Sequence, residues 1–167
     1  MEFSGYMKLQ GDVQGSIEGS SVRKGREGSI NLFSFEHELR ANSSPQSGMA
    51  NGPVCHQPIK LVKEIDKSTP KLYRALVEKE RLTSVTMDWF RYTPQGEEVV
   101  YYQIELTNAN ILSVAPWTPE VNSSDSEYMG FMENIILTYE GITWSWGPDG
   151  DVTYQANWRG DSNAKAV

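Results

Sequence analysis

Two histidines and one cysteine have the side chains best suited to metal binding or nucleophilic chemistry in this sequence. His37 and His56 are the only histidines, and Cys55 is the only cysteine. They offer at most three ligands, without the paired spacing of zinc sites. Neighbours such as Cys55 and His56 rarely face each other, which argues against a thiol–imidazole nucleophile pair. We therefore predict no metal site, no cofactor and no thiol catalysis.

A pair of carboxylates is the second candidate for chemistry. Glu64 and Asp66 could act as general acid and base, but they lie between Lys63 and Lys67 just before a predicted helix start. Carboxylates are common there because the free N–H groups and the helix dipole stabilise them. We interpret the pair as structural. The same interpretation applies to the acids of two predicted hairpin turns: Glu97, Glu98, Asp149 and Asp151.

Tryptophans could bind a ligand by stacking on sugars or bases. Trp89, Trp144, Trp146 and Trp158 each alternate with aliphatic neighbours on a predicted strand. That pattern favours packing in the core or at a subunit interface. The sequence therefore predicts a binding or assembly protein without an active site.

Composition excludes several classes of partner. The 167 residues carry a formal charge of −7, so the electrostatic attraction that dominates nucleic-acid binding is missing. We find no glycine-rich phosphate loop and no apolar run near the ~18 residues of a membrane span. The first residues lack a basic flank followed by an apolar run, so we expect no cleaved signal. A single cysteine is compatible with a reducing cytoplasm.

Alternation of apolar and polar residues predicts one domain, 1–167, built mainly of short strands. They cover 6–9, 30–40, 58–65, 85–92, 98–106, 111–114, 133–140 and a closing hairpin within 142–158. Ser68, Thr69 and Pro70 predict the start of a single helix over 70–80. Hairpin spacing with one helix predicts an antiparallel β-barrel of two packed sheets with one flanking α-helix.

Three segments lie outside this pattern. The loop 41–57 exceeds the ~12 to 15 residues usual for an unstructured connection, so it is functional or disordered. We predict a surface loop over 118–128 and a flexible tail over 159–167. In the strand 30–40, alternation places a polar set on one face: Ser34, Glu36 and Glu38.

Blocks of sequence spread from residue 6 to residue 158 occur in the same order as in a known family. They are Tyr6, Lys8 and Leu9 with Gly11 and Gly15; Arg26 to Ile30 leading to Glu36 and His37; Lys63 to Pro70 with Leu72; and Tyr139, Glu140, Ile142, Thr143 and Trp144. The block from Lys63 to Pro70 is the most specific. With these residues the chain resembles the haemolysin-coregulated protein (Hcp) family, the tube subunits of type VI secretion.

The resemblance implies a non-enzymatic homo-hexamer, a ring with a central channel that stacks into a tube driven by a contractile sheath. The implied partners are the spike protein, the sheath and effectors held non-covalently, and the implied route runs from the bacterial cytoplasm through the machine. For ring or stacking contacts we predict the loop residues Ser44, Pro45, Gln46, Gly48, Met49, Asn51 and Gly52. For the channel or seam we predict Ser34, Glu36 and Glu38.

Two other classes remain open at this stage. A monomeric β-barrel could line a ligand pocket with its tryptophans and tyrosines. A small hydrolase could use Glu64 and Asp66. Cys55, His56 and the segment 118–128 match no motif of the family that we recognise.

Overall fold

The polypeptide folds mainly into β-strands. The structure, a computed structural model, describes residues 5–120, 122 and 130–160. Its elements are β1 (Gly5–Gly11), β2 (Gly15–Ile17), β3 (Ile30–Leu32), β4 (Ser34–Glu36), β5 (Leu39–Ser43), β6 (Ala50–His56), β7 (Ile59–Glu64), α1 (Thr69–Val77), β8 (Leu82–Tyr92), β9 (Glu98–Trp117), β10 (Met132–Thr138), β11 (Gly141–Trp146) and β12 (Val152–Asn157). Most of the predicted loop 118–128 and of the predicted tail 159–167 lies outside the described residues.

Strand β9 organises the main sheet. It is 20 residues long and pairs antiparallel with β8 along one edge. Along the other edge, residues 102–107 pair with β11 and residues 110–117 pair with β10. Strands β10 and β11 therefore form one nearly continuous partner for β9, interrupted only at Tyr139 and Glu140.

The sheet bends at this interruption. Asn108 has a φ of 50°, a left-handed conformation that asparagine tolerates because its short side chain can bond locally. Its side-chain amide donates to Glu140 Oε2 at 2.9 Å. The backbone N–H of Glu140 donates to the Thr107 carbonyl at 3.1 Å and to the Asn108 carbonyl at 3.2 Å. The bend separates a half containing β1, β8, β11 and β12 from a half containing β10, β7 and β4.

The predicted class, antiparallel β-structure with one flanking helix, is confirmed. Among the described strands the order β2-β1-β8-β9-β10-β7-β4 stays open, because its two end strands do not pair with each other. Strand β3 pairs with β1 and β4 pairs with β7. Between them, the Phe33 N–H donates to the Val62 carbonyl at 2.8 Å. The chain thus crosses between the halves here without the closed ladder of a complete barrel.

One hydrophobic cluster joins both halves. Its strand residues follow the predicted alternation and include Met7, Leu9, Ile59, Leu61, Val85, Met87, Ile104, Leu106, Ile135 and Leu137. Helix α1 packs against β9 and adds Leu72 and Ala75. Full burial of each such Leu or Ile stabilises the fold by roughly 1.5–3 kcal/mol.

The predicted helix is confirmed but is shorter than expected. It begins at Thr69 with Pro70 in its first turn, and it ends at Val77. The reason for the early end is Lys79, whose φ is 54°. The N–H groups of Lys79 and Glu80 turn back to the carbonyls of Leu76 and Ala75 at 3.4 and 2.9 Å. This pattern is a Schellman motif with lysine in the position that usually holds glycine.

Two boundary predictions are wrong. The segment 111–114 is no separate strand but part of β9, because the strand continues through the left-handed residue Asn108 and pairs with β10 beyond it. The segment 30–40 is divided into β3, β4 and the start of β5. The division arises because β3 and β4 pair with different strands, which a period-two pattern does not reveal.

The prediction of an unstructured loop over 41–57 is also wrong, because most of this segment forms a β-hairpin. Strands β5 and β6 pair in a two-stranded sheet of their own, with Leu39 opposite His56 and Ser43 opposite Ala50. Nearly every residue of the hairpin is exposed. Alternation of apolar and polar residues requires one buried face, so a hairpin with two exposed faces gives no such signal.

Candidate assembly surface

The tip of the β5–β6 hairpin carries the residues predicted for ring or stacking contacts. Ser44 closes the turn: its N–H donates to the Met49 carbonyl and its carbonyl accepts from Gly48 N–H, each at 2.8 Å. Gly48 has a φ of 71°, which glycine adopts without strain. The other predicted residues, Pro45, Gln46, Asn51 and Gly52, are all exposed. The turn is thus ordered by its own backbone while its side chains face outward.

The predicted channel or seam face lies on β4 and the link that follows it. Ser34 and Glu36 are exposed, whereas Phe35 points inward and meets the Trp89 ring at 5.1 Å. Glu38 pairs with Arg40 at 2.6 Å on the outer surface. The alternation predicted for this segment is therefore confirmed, and the polar face continues directly into the hairpin. Its role in a channel or a seam stays a prediction.

Strands β11 and β12 present exposed aromatic side chains. Trp146 is 49% exposed and Tyr154 is 67% exposed. Tyr154 stacks on Trp144 with ring centroids 6.3 Å apart, and the Arg91 guanidinium lies 5.8 Å from the Trp146 ring. Among the described strands, β12 pairs only with β11. Exposed aromatic side chains on such a terminal strand are suited to contact with another chain.

An arginine cluster fastens the segment after β2 to the hairpin formed by β8 and β9. Arg23 and Arg26 contact the Glu98 carboxylate at 3.0 and 2.6 Å. The hydrogen bonds from Arg26 and then Arg23 hold the pKa of Glu98 below its usual range. The Arg26 guanidinium also lies 3.4 Å from the Phe90 ring centroid. Glu98, predicted as an ordinary turn residue, is therefore an anchor.

The lysine-rich block before the helix surrounds a buried ion pair. Lys63 and Glu133 are both fully buried and contact each other. Lys63 Nζ also donates to the Glu64 carbonyl at 2.9 Å and to Asp66 Oδ1 at 3.1 Å. Thr69 Oγ1, at the helix start, donates to Glu133 Oε1 at 2.8 Å. The network ties β7, β10 and α1 together.

The acid pair considered for hydrolysis belongs to this network. Asp66 Oδ1 accepts the Ser68 N–H at 2.8 Å and also the Ser68 hydroxyl, and that hydroxyl makes no capping hydrogen bond to the helix. Glu64 contributes its backbone carbonyl to Lys63. Both residues therefore make structural contacts.

The two histidines meet at one tyrosine. His37 Nε2 lies 3.0 Å from the Tyr139 hydroxyl, and His56 Nδ1 lies 2.5 Å from it. Trp158 packs against Tyr139, with centroids 5.0 Å apart. Burial lowers the pKa of both histidines and raises that of Tyr139. Cys55 is exposed and takes no part. Within the described residues, no three His, Cys, Asp or Glu side chains cluster as metal ligands would.

A cleft of about 660 Å³ opens beside Tyr139 and Trp158. Its other lining residues are polar and largely exposed: Arg81, Asn108, Asn110, Thr138, Glu140, Asn157 and Arg159. Ligand pockets are mostly apolar and bury their ligand. This cleft therefore lacks the character that a ligand-binding barrel requires. No helix in the described part of the chain is long and apolar enough to cross a membrane.

Sequence reasoning missed the buried ion pair, although a signal was present. Lys63 is two residues after Leu61, and Glu133 is two residues before Ile135. Residues two apart on a strand share a face, so both charges fall on inward-facing positions. Opposite charges at inward positions of two predicted strands indicate a buried pair. The histidine–tyrosine contacts had no such signal, because the three residues are far apart in sequence.

Comparison with known proteins gives one consistent result. Residues 6–146 match the family model described as type VI secretion system effector, Hcp. The major exported protein of Pseudomonas aeruginosa is 30% identical over 149 residues, which cover 84% of this chain and 87% of that protein.

Solved structures agree. A double tryptophan mutant of Hcp1 from E. coli EAEC 042 superimposes with a TM-score of 0.82 at 31% identity, covering 94% of this chain and 99% of that one. The secreted protein Hcp3 of Pseudomonas aeruginosa superimposes with a TM-score of 0.75 at 26% identity, covering 95% of this chain and 99% of that one.

Proposed function

The chain belongs to the Hcp family of type VI secretion proteins, and from this membership we propose that it is a structural subunit of the secreted tube. Six copies form a ring with a central channel, and the rings stack. The subunit is made in the bacterial cytoplasm and leaves through the machine without a cleaved signal. It works with the spike protein, the sheath and effectors, and it is not an enzyme.

The observation that carries this proposal is a pair of exposed surfaces on one chain. The β5–β6 hairpin is exposed on both faces, and the β11–β12 hairpin exposes Trp146 and Tyr154. Two different surfaces that fit each other produce a head-to-tail contact, which closes into a ring when the rotation between subunits allows. Additional contacts between ring faces then build a tube.

The exposed polar face on Ser34, Glu36 and Glu38 fits the channel or the seam in this arrangement. Polar side chains on a wide channel wall would hold an effector by many weak contacts. Such contacts favour release, which a carrier requires.

The test is the absolute mass of the purified chain by light scattering after size exclusion. The proposal predicts a species of six times 18.8 kDa. Trp146→Lys should shift the mass toward the monomer, because it places a charge in the contact. Val77→Lys is the matched control, since Val77 is also an exposed apolar residue but lies on the helix. A monomeric wild-type chain at micromolar concentration would contradict the proposal and favour the ligand-binding module.

A further inference from the structure

The β5–β6 hairpin is attached to the domain through three polar rings, which we call the imidazole node: His37, His56 and Tyr139. His37 lies in the link between β4 and β5, and His56 ends β6. Tyr139 lies at the bend between β10 and β11 and is 4% exposed. Both strands of the hairpin are therefore held to the body of the domain at a single hydroxyl group.

The hydrogen bonds of the node fix the charge of the rings. A phenol hydroxyl has one proton to donate, and a neutral imidazole has one donor and one acceptor nitrogen. One ring must therefore accept the Tyr139 proton while the other donates its N–H to the Tyr139 oxygen. Protonation of the accepting ring turns its acceptor into a donor. The Tyr139 oxygen can still accept an N–H from each ring, but its own proton then has no acceptor at the node, and a positive charge lies among three aromatic rings.

In the described part of the chain, the ring contacts of the node are made by aromatic side chains and not by carboxylates. Trp158 lies 5.7 Å from the His56 ring and Phe35 lies 6.4 Å from the His37 ring. The nearby charged residues are engaged or face outward: Glu38 with Arg40, Glu140 with Asn108, and Arg81 and Arg159 in the adjoining cleft. Within the described residues, no carboxylate hydrogen-bonds either ring.

We propose that the imidazole node is a pH-sensitive latch, which holds the hairpin against the domain when both rings are neutral and releases it when they are protonated. The exposed hairpin strands make no ladder with the main sheet, so the node is a principal attachment. The positive charge and the phenol proton without an acceptor destabilise this attachment, which frees the hairpin without unfolding the core.

The direction of the pH effect follows from the two histidines. Burial lowers the pKa of each in the docked state, and the charge of His56 lowers the pKa of His37 further, while a backbone hydrogen bond at Gln57 opposes this. A released hairpin exposes both rings, whose pKa returns to about 6.5. The released state therefore binds more protons. Docking is complete above about pH 6.5, and it weakens by up to about tenfold per pH unit and histidine below that value.

Cys55 provides the probe for a test. It is the only cysteine, it is exposed, and it precedes His56. A nitroxide label on Cys55 of the full chain reports hairpin mobility by electron paramagnetic resonance. We expect the mobile fraction to rise as the pH falls from 7.5 to 5. Tyr139→Phe should raise this fraction already at pH 7.5, and the double variant His37→Gln with His56→Gln should abolish the pH dependence.

Glu38→Gln is the matched control, because it removes an acid beside the node that contacts neither ring. It should leave the transition in place. Since the chain has only two histidines, their imidazole NMR signals can be followed directly, and both should titrate below pH 6.5. A label mobility independent of pH, or histidines that titrate at 6.5 or above, would overturn the proposal.

The consequence for assembly rests on the proposed function. If the hairpin contacts a neighbouring subunit, rings dissociate over the same pH range. A monomer at every pH with a clear mobility transition would overturn the tube assignment and support the latch. A hexamer at every pH without a mobility transition would support the tube assignment and overturn the latch.

Discussion

Lys63 and Glu133 lie directly opposite each other on β7 and β10, and their charged groups meet in the interior of the domain. A buried ion pair must compensate the loss of water around two charges. Here Lys63 also donates to Asp66 and to the Glu64 carbonyl, and the Thr69 hydroxyl donates to Glu133. The pair also fixes the register of β7 against β10. The block that identifies the family therefore encodes a folding element.

Removal of one partner should be strongly destabilising. Lys63→Met leaves the Glu133 carboxylate buried without its cation, and we expect a loss of about 3–5 kcal/mol in the free energy of unfolding. Adding Glu133→Leu should recover a large part of the lost free energy of unfolding. Urea unfolding followed by circular dichroism measures both. Lys60→Met, at an exposed position of the same strand, is the control, and equal losses for Lys60 and Lys63 would contradict the interpretation.

Relief of backbone strain after the helix should stabilise the protein. Lys79 has a φ of 54°, and a non-glycine residue in this region costs about 1 kcal/mol or more. Lys79→Gly should therefore raise the free energy of unfolding by about 0.5–1 kcal/mol, since glycine loses some of the gain to backbone entropy. The same change at Lys71, an exposed position inside the helix, should lower stability by about 1 kcal/mol. Thermal unfolding distinguishes the two signs.

Glu98 should contribute to acid sensitivity. Arg26 and Arg23 lower the pKa of Glu98 in the folded state, so the unfolded state binds more protons as the pH falls below the ordinary value of about 4.3. The stabilisation is complete above that value and is lost on further acidification. Glu98→Gln should lower stability at pH 7 and flatten its dependence on pH below about 5. If the Glu98→Gln variant has an unchanged acid-unfolding profile, Glu98 is not an anchor of the fold.

The polar face on β4 should affect cargo more than stability. Glu36 is exposed, so Glu36→Lys should change the free energy of unfolding by no more than about 0.5 kcal/mol. We expect rings to form and the amount of co-purified effector protein to change. Glu105→Lys, an exposed charge reversal on β9, should leave retention unaffected. If ring formation and retention are both unchanged in the Glu36 variant, this face lines neither the channel nor the seam.

The sequence predicted features that depend on neighbours in the chain. The alternation in β1, β7, β8 and β10 and the Pro70 signal each follow from local geometry, and each is confirmed. Features that depend on contacts between residues distant in the sequence were not predicted. The imidazole node unites residues 37, 56 and 139, and Asn108 allows one long strand where a break was predicted. A hairpin with two exposed faces has no hydrophobic pattern to detect.

The continuous pairing of β9 also determines how the domain resists mechanical force. Strand β9 is bonded to β8 on one edge and to β10 and β11 on the other. A pull along its axis loads these bonds in shear, so many must break together. Among the described strands, β5 and β6 pair only with each other, so this hairpin would open one backbone hydrogen bond at a time from its tip. A domain built in this way transmits a pulling force through its sheet, whereas its hairpin is the compliant part.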